Sequence, residues 1–258
     1  MGSSKSKPVV SEITLTIVML TTPDRFEFSS LTIERMKMYC DLHRYQLLVF
    51  ENVLETTRAA PWSKIVALQR ALISTKSDYV AWIDDDIWVT NPFVSLSKLI
   101  EKTIGNNNFL LSEDAQKHNG YPVNTGVMIL RNCDWSKEYL QMVWEEGKSV
   151  AKECLWEQTT ITNLLWQAPE LNTKIAVLPM PILQSFYRYP ETKDPEHCTW
   201  SASHFLCHLT GLPKQVRIDA VKHLEKQGLF PMVRPPFQKM KWEEMVLTQD
   251  KELERINR

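Results

Sequence analysis

Glycine is scarce, with 7 in 258 residues. Glycine alone takes up strained or crowded backbone freely, so each of the few is expected to mark a special position. Net charge is nearly absent as well. Thirty basic residues stand against thirty-one acidic ones, which argues against nucleic acid or any other partner recognised by bulk charge. The five cysteines, Cys40, Cys133, Cys154, Cys198 and Cys207, are odd in number and lack C-x-x-C or zinc-finger spacing. Reduced thiols in a cytoplasmic compartment are expected. The longest apolar stretch near the N-terminus, Ile13 to Leu20, is eight residues long, well short of the roughly 20 a membrane-spanning helix needs. No secretory hydrophobic region follows a basic start, and repeats and low-complexity segments are missing too. What is present is an ordinary globular composition, 43% hydrophobic, in a chain long enough for one substantial core. Tryptophan is abundant at nine residues; aromatics fill cores and also stack on sugars and bases.

One stretch dominates the rest. Tyr79-Val80-Ala81-Trp82-Ile83 runs into Asp84-Asp85-Asp86, and Ile87-Trp88-Val89 follows. The pattern predicts a buried strand emerging at an acidic edge. Three adjacent carboxylates repel one another, and burying one unpaired is costly. A divalent cation is the economical counter-charge. A solvated acidic turn before Asn91-Pro92 is the plain alternative. From an extended backbone, Asp84 and Asp86 would point one way and Asp85 the other, which leaves Asp85 a supporting place.

Along the chain, strands are predicted over 13–20, 46–50, 108–111, 123–130, 174–178 and 203–209, besides the central one. Helices are predicted over 31–45, 61–73, 93–101, 135–154, 155–166 and 218–227. The alternation predicts an α/β sandwich with a mostly parallel central sheet. Thr21-Thr22-Pro23 ends the first strand, at the sheet edge where α/β folds bind ligands. Lys64 falls in the first turn of its helix, which disfavours a base but suits an anionic ligand bound there. Gly126 opens a strand, a place where close backbone approach is common. The expected division is a tail at 1–11, a catalytic domain at 12–230 and a charged helical extension at 231–258.

The chemistry rests on a combination. Downstream of the acidic triplet stands His208-x-x-Gly211-x-x-Lys214, with Asn124-x-Gly126 and Glu157-Gln158 between. Imidazole beside carboxylates shifts preference from Mg2+ toward Mn2+. Gly211 would let backbone approach a phosphate, and Lys214 would supply a point charge for a diphosphate. Such a set suits a nucleoside diphosphate leaving group.

Over residues 13–214 this pattern resembles metal-dependent glycosyltransferases of the GT-A fold, similar to families 8 and 34, the glycogenin-like and galactosyl- and xylosyltransferase groups. The resemblance implies a GT-A-type Rossmann-like sandwich and a retaining transfer from a UDP-sugar to a glycan or protein hydroxyl. It implies Mn2+ or Mg2+ on Asp84, Asp86 and His208, with Asp84 also near the ribose and Asp85 beside them. Thr21 and Thr22 would meet the nucleobase, Lys64 the nucleotide or donor sugar, and Gly211 and Lys214 the diphosphate. Asp114, Asn124, Gly126, Glu157 and Gln158 would line the donor-sugar pocket. Gln158 would lie beneath the anomeric carbon, with Asp114 and Glu157 beside it as catalytic candidates. Glu157 stands where family 8 usually has Asp, so subfamily and donor sugar stay open. Separately, Met1-Gly2-Ser3-Ser4-Lys5-Ser6-Lys7-Pro8 fits M-G-x-x-x-[ST] and resembles the myristoylated start of Src-type tyrosine kinases. It implies weak peripheral membrane contact; a polar tail or an expression remnant is the alternative.

Blander readings stand beside these. His208 could be a core histidine, Asp114 a helix cap and Asn124 a turn residue. Glu157 and Gln158 sit at a helix start, where acids and amides serve as caps. Arg58 belongs to no motif and reads as structural or solvated. Two other functions compete. One is a haloacid-dehalogenase-type phosphatase, which also uses Asp-x-Asp after a strand, with the first Asp as nucleophile. That pattern wants Thr or Val where Trp88 stands, and no adjacent acidic pair falls within a later predicted strand. The other is a non-catalytic nucleotide-sugar-binding protein.

Overall fold

The hub of the sheet is β1 (Leu15–Leu20), flanked in parallel by β2 (Gln46–Phe50) and β3 (Tyr79–Ile83). The computed structural model describes residues 13–115, 117, 120–149, 155–187 and 199–227. The acylation motif, the C-terminal charged helix, Cys154 and Cys198 lie outside the described residues. The turn after β3 leads to β4 (Ile87–Val89); β5 (Phe109–Glu113), β6 (Val123–Arg131) and β7 (Ile175–Leu178) complete the main sheet, in the order β2-β1-β3-β6-β5-β7. Only β6 runs antiparallel to its neighbours. The expected α/β sandwich with a mostly parallel sheet is the fold observed.

Residue alternation explains the layers. Leu15, Ile17 and Met19 of β1, with Tyr79, Ala81 and Ile83 of β3, face one core. Val18, Val80 and Trp82 face the other. Period-two alternation with both sets apolar is what a strand covered on both sides requires. Helix α1 (Phe26–His43) and α3 (Leu96–Thr103) cover the first face through Met36, Tyr39, Leu96, Leu99 and Ile100. The second face is covered by α2 (Ser63–Ser74), α4 (Asp134–Glu146) and α5 (Trp156–Gln167), using Ile65, Leu68, Tyr139, Leu140 and Ile161.

Two short helices follow, α6 (Pro169–Asn172) and α7 (Met180–Leu183), then β8 (Ser185–Phe186), β9 (Leu206–His208) and α8 (Lys214–Gln227). Strands β4, β9 and β8 form a separate three-stranded sheet. The helix expected over 135–154 ends instead at Glu146, where the backbone tightens into a 3-10 turn over Gly147–Ser149. Gly147 serves packing there: a Cβ would lie 1.9 Å from the Trp62 ring. The strand expected over 203–209 shortens to three residues, because β4, its partner, is itself three residues long.

Candidate active site

The apolar run through the acidic triplet is two strands, not one. Asp84 to Asp86 turns between them, closed by the Ile87 N–H donating to the Asp84 carbonyl at 3.1 Å. The turn carries the chain from the main sheet to the small one. There β4 pairs with β9 so that Ile87 lies opposite His208, and the Leu209 N–H donates to the Asp86 carbonyl at 2.9 Å. This pairing closes a gap of roughly 120 residues between the triplet and the imidazole.

The triplet divides as alternation would have it, though the turn is the cause. Asp85 gives its carboxylate to Arg25, which donates Nε and Nη2 at 2.9 and 2.5 Å to its two oxygens. Burial raises the Asp85 pKa against the pull of Arg25. Asp84 and Asp86 face His208. His208 Nε2 lies 3.9 Å from Asp84 Oδ2 and 3.2 Å from Asp86 Oδ1. The far oxygens are tied elsewhere. Asp84 Oδ1 accepts from the Trp82 indole at 2.6 Å and from Lys64 at 3.0 Å. Asp86 Oδ2 meets Arg217 at 3.0 Å and Arg25 at 3.6 Å. Burial pushes the Asp86 carboxyl up, but His208, Arg217 and Arg25 outweigh it and hold it well below the usual carboxylate range.

These contacts test whether a divalent cation fits. Three ligand atoms, one each from Asp84, Asp86 and His208, lie within 4.8 Å of one another. Two hard oxygens and one imidazole nitrogen form a donor set suited to Mn2+ or Mg2+. Each carboxylate is held by its outer oxygen and leaves the inner one for the ion. The residues present fit the group.

A second layer of polar contacts runs behind the triad. Asn124 donates Nδ2 to Asp114 at 2.8 Å and accepts at Oδ1 from the Gly126 N–H and from Gln184, both at 2.9 Å. Gln184 reaches His208 Nδ1 at 3.0 Å. Gly126 is a glycine because of the imidazole: a Cβ would sit 2.4 Å from His208 Cε1. Close approach was expected at Gly126, and the neighbour is a protein side chain.

Lys64 is almost fully buried and bridges Asp84 and Glu157, at 3.0 and 2.8 Å, while donating to the Thr125 carbonyl at 3.0 Å. Burial pulls its pKa down, but Asp84 and then Glu157 more than reverse this and leave it raised. Its ammonium therefore neutralises these carboxylates, and Lys64 also lines the cavity over the site. Gln158 accepts from the Thr125 N–H at 3.2 Å and turns its amide nitrogen toward Asp114 at 3.5 Å. Glu157 and Gln158 thus have tertiary partners, and neither caps α5. Just before them Trp156 has φ of 44°, a strained backbone for a bulky residue.

A cavity of about 940 Å3 opens over this layer, a size suited to a small-molecule ligand. Thr21 and Thr22 at the end of β1 line it, as do Asp114, Asn124, Glu157, Gln158, the metal triad and Gly211. Lys214 does not. It opens α8 with its ammonium on Glu27 of α1 at 2.6 Å, because the first turn of α8 faces α1, outside the cavity wall. The cations on the Asp86 side of the triad are Arg25, the N-cap residue of α1, and Arg217, one turn into α8. Their guanidinium groups bracket Phe28 at 5.0 and 5.3 Å. Sequence reasoning passed over both, and over Trp82 and Gln184. Arg217 alone left a signal, lying three residues beyond Lys214 on a helix.

Residues 102–215 match the galactosyl transferase GMA12/MNN10 family. Among individual proteins, galactomannan galactosyltransferase 1 of Cyamopsis tetragonoloba is 29% identical over 111 residues, 41% of this chain and 25% of that protein. Probable xyloglucan 6-xylosyltransferase 5 of Arabidopsis thaliana is 27% identical over 120 residues, 40% of this chain and 23% of its own length. The matched region thus spans about a quarter of these curated relatives. In fold, the chain is similar to a glycosyltransferase involved in glycosylation of the major capsid of PBCV-1. The TM-score is 0.65 at 19% identity, covering 81% of this chain and 99% of the other. Mouse xyloside xylosyltransferase 1 aligns with a TM-score of 0.50 at 12% identity, over 77% of this chain and 98% of that one. Sequence and fold comparisons both lead to glycosyltransferases, the fold being of the GT-A type. Among the described residues, no helix is long and apolar enough to cross a membrane.

Proposed function

We propose that the chain transfers a sugar from a nucleotide-sugar, with a UDP-sugar as donor, to a hydroxyl of a glycan or protein acceptor, retaining the anomeric configuration. The observation that carries this reading is the convergence of Asp84 Oδ2, Asp86 Oδ1 and His208 Nε2 at the wall of a donor-sized cavity. Mn2+ or Mg2+ held by these residues supplies Lewis-acid stabilisation of the departing diphosphate. The chain's own groups do the rest. Thr21 and Thr22 wall the nucleobase end, and Gly211, at φ of 69° with open space beside its Cα, brings backbone to the phosphates. Asp114 and Asn124 orient donor-sugar hydroxyls. Glu157 Oε2 is buried with no hydrogen-bond partner among the described residues, and a sugar hydroxyl would satisfy it. The Gln158 amide oxygen, fixed by the Thr125 N–H, stabilises the anomeric carbon as positive charge develops. A phosphate oxygen of the leaving group takes the acceptor proton, so no separate base is assigned. On this reading the catalytic unit is 12–230, and Gly2 is a myristoylation site.

The test is a donor screen with Mn2+ and a panel of UDP- and GDP-sugars, reading donor hydrolysis and transfer. Hydrolysis of one UDP-sugar, lost on chelation and in Asp86→Asn, is the expected result. Unimpaired transfer by Asp86→Asn counts against the scheme. Binding of UDP without turnover on any acceptor points to a non-catalytic nucleotide-sugar-binding protein. Phosphoester hydrolysis without UDP binding points to a phosphatase.

A further inference from the structure

We propose that Gln184 is a positioning residue that fixes His208 in the tautomer able to bind the metal; the inference rests on the metal-site reading above. Gln184 ends α7, one residue before β8, and is fully buried. No motif marks it in the sequence. Its place beside His208 comes from the small sheet, where Phe186 pairs in register with His208.

The direction of each hydrogen bond in this relay fixes the next. The Gly126 backbone N–H can only donate, and it lies 2.9 Å from Asn124 Oδ1. That contact fixes the Asn124 amide, whose nitrogen then donates to Asp114 Oδ2 at 2.8 Å. The same Asn124 oxygen is 2.9 Å from the Gln184 amide. An oxygen accepts only, so Gln184 must present Nε2 there and turn Oε1 to His208 Nδ1 at 3.0 Å. An amide oxygen also accepts only, so Nδ1 carries its proton. Nε2 is then the ring nitrogen free to give a lone pair to a cation, and it is the one aimed at Asp84 Oδ2 and Asp86 Oδ1. A backbone N–H on β6 thereby dictates, through two amides, which nitrogen of a residue on β9 can ligate. Partners of this kind orient a ligand imidazole and set its tautomer.

Rotation of the ring is restricted from both sides. The Gly126 backbone abuts Cε1 and Nδ1, and the Phe186 ring lies with its centroid 5.7 Å from that of His208.

The test compares Gln184→Leu, which removes the acceptor at similar size, with Gln184→Glu, which restores one. Mn2+ binding is read from the EPR signal of unbound Mn2+. The Nδ1–H of His208 is read by 15N NMR of labelled imidazole in the Mg2+-loaded protein. Gln184→Leu is expected to weaken Mn2+ about 10–100-fold, the usual effect of removing such a partner, and to lose the protected Nδ1–H signal. Gln184→Glu keeps an acceptor for Nδ1 but sets a second oxygen against Asn124 Oδ1, so it is expected to keep that signal and to recover only part of the affinity. If wild type binds Mn2+ and Gln184→Leu binds it equally well with Nδ1–H intact, the role of Gln184 is overturned and the metal reading survives. If wild type binds no divalent cation, both fall. Should Gln184→Leu not fold, the wild-type ring spectrum decides: a proton on Nε2 in the metal-loaded protein overturns the proposal.

Discussion

Replacing Gly126 by alanine adds one methyl group at the most crowded point of the site. Its backbone lies in the extended region of β6, so alanine meets no conformational penalty there. The cost is steric. The new Cβ would lie 2.4 Å from His208 Cε1, 2.8 Å from Nδ1 and 2.9 Å from Asn124 Oδ1, against an ordinary contact of 3.4 Å or more. Relief requires a shift of about 1 Å, the difference between 3.4 and 2.4 Å. Strand β6 cannot readily supply it, being paired on both edges with β3 and β5 and bound through the Gly126 carbonyl to the Asp84 N–H at 2.9 Å. The imidazole moves instead. Metal–ligand distances tolerate only about 0.2 Å, so a displacement five times larger removes His208 from the ligand set. Overpacking of this kind costs about 1–3 kcal/mol of stability. For a chain of this size that lowers Tm by roughly 2–12 °C. The assay pairs a thermal melt with a Mn2+ titration. The expected result is a modest fall in Tm with a loss of Mn2+ affinity of at least about tenfold, the lower end of what a displaced ligand partner costs. A folded Gly126→Ala protein that binds Mn2+ as wild type does would refute both the placement of His208 and its role.

Three further changes probe the surroundings. Lys64→Met leaves buried Glu157 without its cation and is expected to destabilise by about 3–5 kcal/mol; urea unfolding should show a large part of this recovered in Lys64→Met/Glu157→Gln, and a loss under about 1 kcal/mol would contradict the pairing. Arg58 stacks between Trp62 and Trp144 at 4.8 and 3.7 Å, so Arg58→Ala should lower stability by about 0.5–2 kcal/mol while leaving Mn2+ affinity unchanged; a melt that does not move would show the stack to be inert. Lys214→Ala removes a half-exposed pair with Glu27 and should alter stability by less than about 1 kcal/mol. Calorimetry should find UDP affinity nearly intact if Lys214 stays on Glu27 in the wild type, and a loss of about tenfold, 1.4 kcal/mol, would show that it serves the diphosphate as the family resemblance implies.

Chemistry that depends on residue type and local order was legible in the chain. Alternating apolar residues on β1 and β3 announced strands buried on both faces, and the alternation of strands with helices announced the layered sheet. Asp84 and Asp86 could be separated from Asp85 by alternation, and His208 was joined to them by the family resemblance, through the Gly211 and Lys214 that follow it. Even the scarcity of glycine carried meaning: Gly126 and Gly211 both proved to occupy positions that a side chain would crowd or strain.

Contacts between distant segments were not legible, because a hydrogen bond or ion pair across the fold leaves no periodicity in the chain. The antiparallel direction of β6 is set by pairing, which its composition does not express. The turn at Asp84 to Asp86 arises because β4 leaves the main sheet to pair with β9. Arg25 and Arg217 reach Asp86 from opposite ends of the described chain, and no spacing rule connects them. Lys64 lines the cavity, and only the fold shows that it also bridges two carboxylates. Residue types thus determined by themselves what could bind a metal. Tertiary structure decided which oxygen of each carboxylate, and which nitrogen of the imidazole, is left to do so, because that choice depends on what the other atoms of the same side chains are already holding.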